Sequence, residues 1–265
     1  MLRERVITAL ILIPLLLGAL FLLPRGGGAL AIGVLFFGGA IEWGGFFGAE
    51  SYARRVAYAV AVAAAAALFF AISADHQVLK LLTGLATFMW LAALLLVTRY
   101  PVRIARVATA VAGSAVVALA AVALMRLHLD WQRGPELLLF LFVLVWAADI
   151  GAFFTGRAIG RRKLAPAVSP GKTWEGVGGG ILLAALAAVG GAAWFGFGSG
   201  WFLPLCLLVA AISVVGDLTV SIFKRNAGLK DSGRIFPGHG GILDRVDSIT
   251  AAGPVFVFGL LVAGA

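Results

Sequence analysis

Apolar residues along this chain come in long runs separated by short polar segments. A bilayer core of about 30 Å takes about 20 apolar residues per helix, and nine runs of roughly that length occur. Their approximate limits are 6–24, 29–48, 56–74, 79–98, 105–124, 136–155, 176–197, 201–222 and 245–264. Arg3 and Arg5 precede the first run, as in a signal peptide. That run is long for such a segment, lacks a convincing small-residue cleavage site and starts a series of spans, so it is expected to be retained. The pattern predicts an all-α polytopic membrane protein with about nine transmembrane helices.

Composition agrees. The 265 residues are 62% hydrophobic and 12% charged, where a soluble domain carries roughly a quarter charged residues. The mean hydropathy is +1.05. A single cysteine, Cys206, excludes an intrachain disulfide. Ala/Gly-rich stretches such as 60–67 and 178–180 suit close helix packing. There is no soluble domain, Pro/Ser-rich linker, heptad array or clear internal repeat, and the last point weakens a transporter built from inverted halves.

The net charge of +9 suggests nucleic acid until the cations are placed. With the N-terminus inside and the C-terminus outside, only Arg25, Lys80, Arg126 and Arg133 of the 21 basic residues fall on the outer side. Membrane insertion alone requires such a bias, so no nucleic-acid partner is expected. Two cytoplasmic loops, 156–175 and 223–245, carry five basic residues each. This divides the chain into residues 1–135, five spans expected to face lipid and pack, and 136–265, an expected catalytic region holding both loops.

The acidic residues sharpen the picture. Asp75, Asp130, Glu136, Glu4 and Glu50 fall in or beside loops and are expected to be solvated. Asp149, Asp217 and Glu42 lie inside apolar runs toward their cytoplasmic ends, where an ionised group costs about 2.5–3.5 kcal/mol and usually faces a wet cavity or a cation. Glu42 has fewer polar neighbours and is the weaker candidate. Asp244 and Asp247 enter the last span at i, i+3, which puts both on one helix face. Two like charges so close repel unless a cation or an arginine sits between them. Asp217 and the returning loop bring three carboxylates to one membrane surface beside Lys224, Arg225, Lys230 and Arg234. Carboxylates mixed with cations suggest Mg²⁺ carrying phosphate oxygens. The glycines at 228, 233, 238, 240 and 241 allow backbone N–H groups to approach an anion.

The stretch Ser169-Pro170-Gly171-Lys172-Thr173 ends like a phosphate-binding P-loop. The full motif requires a glycine at 166, after a strand, but Pro166 stands there and no strand is expected before it. A nucleotide phosphate held by Lys172 and a hydroxyl is the remaining expectation.

The run Ser221 to Ser248 resembles the signature of the phosphatidate cytidylyltransferase (CDP-diacylglycerol synthase) family. The positions that carry the likeness are Ser221, Lys224, Arg225, Lys230, Asp231, Gly233, Pro237, His239, Gly240, Gly241, Asp244, Arg245 and Asp247. Asp149 to Arg157, Lys163-Leu164, Pro166, Ser169-Pro170 and Lys172 to Gly176 resemble it too, with Ile150 departing where many members have a small hydroxyl residue. The likeness is firm over about 140–250; the first five spans match in hydropathy and topology alone. It implies a reaction of CTP with phosphatidate giving CDP-diacylglycerol and diphosphate at the cytoplasmic face of a bacterial plasma membrane. It further implies Mg²⁺ at Asp217, Asp244 and Asp247, with room for a second cation, and a homodimer. Lys224, Arg225, Lys230 and Arg245 are assigned to phosphates, and Ser221 and His239 to positioning. Asp149, Arg157, Ser169, Lys172 and Glu175 form an opposite wall, and Thr173, Asp231, Gly240 and Gly241 complete the substrate-binding set. The alternatives are a CTP-dependent transferase acting on an ether-lipid phosphate or a polyprenol, and an ion transporter built on Asp149 and Asp217.

Overall fold

A computed structural model describes residues 2–236 and 240–265, with side chains from Leu10 onward. His239, expected to position substrate, lies outside the described residues, as do Pro237 and Gly238. The described residues form nine helices and one hairpin: α1 Leu2–Phe21, α2 Arg25–Trp43, α3 Tyr52–Ile72, α4 His76–Arg99, α5 Arg106–Asp130, α6 Gly134–Ile159, β1 Lys163–Ala165, β2 Ser169–Thr173, α7 Trp174–Phe195, α8 Ser199–Asn226 and α9 Leu243–Ala263. Eight helices, α2 to α9, are long and apolar enough to cross a membrane; for α1 the described side chains cover the shorter apolar stretch Leu10–Phe21. Each expected run thus became one helix, because in hydrocarbon a helix satisfies every backbone N–H and C=O within its own segment. The protein is an integral membrane protein.

The boundary expected near 135 falls at the turn between α5 and α6, but one core crosses it. Val117, Leu124 and Leu127 of α5 belong to the same buried cluster as Leu141 of α6 and Val255 and Phe256 of α9. The chain reversals separate into two ends. At one, Trp131 Nε1 donates to the Ala265 carbonyl at 2.9 Å and Arg25 donates to the Gln132 carbonyl at 2.7 Å. At the other, the Ile104 N–H donates to Asn226 Oδ1 at 3.4 Å. There, Ala165 and Val168 of the hairpin pack on Leu218 and Ile222 of α8, with Tyr100 and Ile104 alongside. The segments 100–105, 160–173 and 227–242 therefore meet at one end of the bundle.

Helices α6 and α7 pack backbone to backbone. A Cβ at Gly151 would lie 2.5 Å from the Gly179 carbonyl oxygen, and one at Gly180 would lie 2.6 Å from that of Ala148. Only glycine lets the two backbones touch there, as small residues do in membranes generally. This contact holds the start of α7, and the hairpin feeding it, against α6.

The hairpin corrects one expectation. Ser169–Thr173 is itself a strand, antiparallel to β1, with Lys163 opposite Thr173 and Ala165 opposite Ser169. Pro166 takes the first corner of the turn, which the Val168 N–H closes onto the Ala165 carbonyl at 3.1 Å. The lysine is presented from a strand rather than from a phosphate-wrapping loop, so the P-loop likeness is accidental. Three outer acids are also not simply solvated. Asp75 caps α4 through the Gln77 N–H at 2.7 Å, Asp130 pairs with Arg126 at 3.4 Å, and Glu136 pairs with Arg133.

Candidate active site

Helix α8 carries Asp217, Ser221 and Lys224, spaced four and three residues apart and so on one face. Its last turns reach the end where α9 begins with Asp244 and Asp247. Lys224, buried, places Nζ 2.7 Å from Asp244 Oδ1 and 3.7 Å from Asp247 Oδ2. The cation that the i, i+3 acid pair requires is therefore a lysine from a neighbouring helix. Burying these charges is tolerable only because they are paired.

The hairpin closes the other side. Lys172 of β2 brings Nζ to 2.6 Å from Asp217 Oδ2, and Ser221 Oγ donates to Asp217 Oδ1 at 3.2 Å. Asp149 of α6 lies within electrostatic reach of Lys172 and Asp217. Four elements spread over residues 149–247 thus assemble four carboxylates around two lysines.

Asp244 is the most engaged of the acids. Besides Lys224, it accepts the Ser232 N–H at 2.8 Å and the Gly241 N–H at 2.9 Å, both on Oδ2. Asp247 Oδ1 accepts the Ser248 N–H at 2.9 Å, leaving Oδ2 with the longer lysine contact alone. Among the described residues no group of three or more His, Cys, Asp or Glu side chains is gathered closely enough to hold a metal, because the lysines stand between the acids. The donor chemistry nevertheless fits a hard divalent cation. All donors are carboxylate oxygens, four acids outnumber two lysines, and Asp217 and Asp247 keep oxygens that only a lysine or hydroxyl now contacts.

The remaining expected residues lie around these charges. Arg157, Arg225, Lys230, Asp231 and Arg245 are exposed, and among the described residues none of these cations makes an ion pair. They line the outside of the same end, with Arg225 Nη1 donating to the Leu229 carbonyl at 3.3 Å. Ser169 is half-buried at the start of β2. Thr173 and Glu175 hold the hairpin to α7. Thr173 Oγ1 accepts the Gly176 N–H at 3.1 Å as the helix cap, and the Glu175 carboxylate accepts the Arg162 N–H at 3.2 Å.

The loop glycines were expected to open backbone N–H groups toward a bound anion. Among the described residues one of them, Gly241, serves a carboxylate of the protein itself. Gly241 donates to Asp244, while Gly240, at φ +79°, makes the reversal before it. The residue underrated in the sequence is Glu42 of α2. It is buried and accepts hydrogen bonds from Ser232 Oγ, Ile242 N and Leu243 N, so its polar neighbours come from the distant loop. The signal available was an acid at the end of an apolar run with no cation nearby in sequence.

Comparison with known proteins bears on what this end of the bundle does. A family model described as the cytidylyltransferase family matches residues 3–262. The chain is similar to phosphatidate cytidylyltransferase of Pseudomonas aeruginosa, at 44% identity over all of this chain and 98% of that protein. It is similar to phosphatidate cytidylyltransferase of Haemophilus influenzae at 40% identity, over 97% of this chain and 98% of the relative. That of Brucella suis is 46% identical over 54% of each chain. With a family match that runs almost end to end, and two relatives at 40% identity or more over nearly their whole lengths, the chain belongs to the cytidylyltransferase family.

Proposed function

We propose that the protein is a phosphatidate cytidylyltransferase, joining CTP and phosphatidate to give CDP-diacylglycerol and diphosphate. The observation that carries this reading is the 40–44% identity, over nearly the full length, with proteins of that name. The site supplies its physical sense. A phosphate oxygen of the lipid attacks the α-phosphorus of CTP; that P–O bond forms while the bond to the β-phosphate bridge breaks, and diphosphate leaves with the electron pair. The nucleophile is already an anion, so no strong base is required. The work is to bring two polyanions together and to neutralise the departing charge, and positioning with electrostatics dominates reactions of this kind.

Asp217 and Asp247, with Asp244 anchoring the turn between them, are the residues that would hold Mg²⁺. The ion when bound would supply neutralisation of the phosphate and diphosphate charge. Lys172 and Lys224 now balance these acids at close range and are placed to move onto phosphate oxygens once substrate arrives. Arg157, Arg225, Lys230 and Arg245, exposed around the same end, draw in the nucleotide. Ser221 holds Asp217 in orientation. The basic residues of the two loops support a cytoplasmic location for this end, where CTP is, and the bacterial relatives support a bacterial plasma membrane. A transporter would place polar groups on both sides of a midplane site, whereas here they gather at one end of the bundle.

The test is purified protein in detergent with labelled CTP, phosphatidate and Mg²⁺, read as label extracted into chloroform. No chloroform-soluble label from the wild-type protein would overturn the function. Asp217→Asn and Asp247→Asn are expected to lose turnover and to weaken Mn²⁺ binding measured by electron paramagnetic resonance. Wild-type turnover in either, with an unchanged Mg²⁺ requirement and unchanged Mn²⁺ binding, would remove the metal assignment while leaving the function standing.

A further inference from the structure

Glu42 stands at the end of α2, in the half of the chain expected to pack and face lipid, yet its carboxylate joins Ser232, within the segment between α8 and α9, to the start of α9. Oε2 accepts Ser232 Oγ at 2.7 Å and the Leu243 N–H at 2.9 Å, and Oε1 accepts the Ile242 N–H at 2.9 Å. The residue is 6% exposed, and among the described residues no cation pairs with it. A buried carboxylate without a cation needs its hydrogen bonds, and here two of them are the unpaired N–H groups at the positive end of the α9 dipole. The loop is shaped to the acid: a Cβ at either Gly233 or Gly241 would strike the Glu42 carboxylate.

The two donors on α9 lie immediately before Asp244, and Ser232 ties the acids together, giving its hydroxyl to Glu42 and its N–H to Asp244 at 2.8 Å. Each residue of a helix advances about 100° and 1.5 Å, so a slip of the first turn would swing Asp244 and Asp247 away from Lys224 and Asp217 together. We propose that Glu42 is a positioning residue for the nucleotidyl transfer. It pins Ser232 to Ile242 and Leu243 at the first turn of α9, and so places the acid pair, although it touches neither substrate nor reacting atoms. Its carboxylate is required as such: all three partners are donors, and an amide would turn its own NH₂ against one or more of them. This inference rests on the proposed function for the kinetic half of its test alone.

Lys230 and Arg234, exposed on either side of Ser232, offer trypsin two cleavage sites. In Glu42→Gln, cleavage there is expected to quicken about tenfold, the least that losing hydrogen bonds to a buried charge implies for a local opening equilibrium. The Mg²⁺ concentration for half-maximal turnover is expected to rise about fivefold or more as the acid pair loosens. Mere loss of folded protein would lower the plateau rate and leave that half-saturation where it was. Should Glu42→Gln not yield folded protein, Ser232→Ala, which removes one hydrogen bond of the three, is expected to quicken cleavage about threefold. Wild-type cleavage rates in Glu42→Gln, or in Ser232→Ala if that variant must decide, overturn the clamp. Faster cleavage with wild-type turnover and a wild-type Mg²⁺ requirement overturns the positioning role. If the wild-type protein turns over no CTP, the proposed function fails by itself, and the cleavage rates still decide the clamp.

Discussion

Replacing Lys224 by methionine keeps most of the aliphatic stem and removes the one ammonium group that touches both Asp244 and Asp247. At 2.7 and 3.7 Å, and with an effective dielectric constant near 20, its gross attractions to the two carboxylates are about 6 and 4.5 kcal/mol. Side-chain exposures of 8% for the lysine and 7% and 12% for the acids leave little solvent screening to discount. Desolvation of all three groups offsets much of this gross figure. The expected net loss is therefore that of an uncompensated buried charge, about 3–5 kcal/mol. For a chain of this size, that lowers Tm by about 10 °C. Thermal unfolding in detergent, followed by tryptophan fluorescence, measures it. Combining Lys224→Met with Asp247→Asn removes half of the acid pair left behind, so the double variant is expected to recover about 1–2 kcal/mol relative to the sum of the single losses. A loss below about 1 kcal/mol in Lys224→Met, or additive losses to within about 0.5 kcal/mol, would refute the view that this lysine neutralises the pair.

Two further outcomes follow from the packing around the hairpin. Gly180→Val puts side-chain atoms against the Ala148 carbonyl, 2.6 Å from the position of the new Cβ, and is expected to lower Tm and the yield of folded protein sharply. Gly178→Ala, with nothing within 4 Å of its Cβ, is expected to be neutral or to stabilise by up to about 1 kcal/mol; equal effects of the two would count against the α6–α7 contact. Thr173→Val loses the hydroxyl that caps α7 and is expected to cost about 1 kcal/mol, while Thr173→Ser retains stability; the same melts check both, and a neutral Thr173→Val would remove the cap.

The family likeness was readable because the cytidylyltransferase signature is mostly local. Lys224, Lys230, Asp244 and Asp247 stand at set distances along a short stretch, so covalent spacing alone puts the two acids on one helix face. Lys172 was readable as a phosphate candidate, but its actual neighbour was not: nothing local to a lysine on a strand specifies an aspartate 45 residues away, and the 2.6 Å contact forms where Ala165 and Val168 dock the hairpin on α8. The hairpin was missed because Ser-Pro-Gly-Lys-Thr has weak strand propensity, and its pairing is stabilised by Ala165 and Val168 burying against α8.

The sequence by itself determined which segments cross the membrane, since transferring about 20 apolar residues into hydrocarbon is decided segment by segment. It also determined which acids and bases the two long loops contain and the helical spacing within each. Only the tertiary structure decided how those charges are paired: Lys224 between Asp244 and Asp247, Lys172 on Asp217, and Glu42 on a loop about 200 residues further along. The reason is physical. A charge in a low-dielectric interior is stabilised by whichever partner the packing brings within about 4 Å, and packing is a property of the whole bundle rather than of any one run of residues.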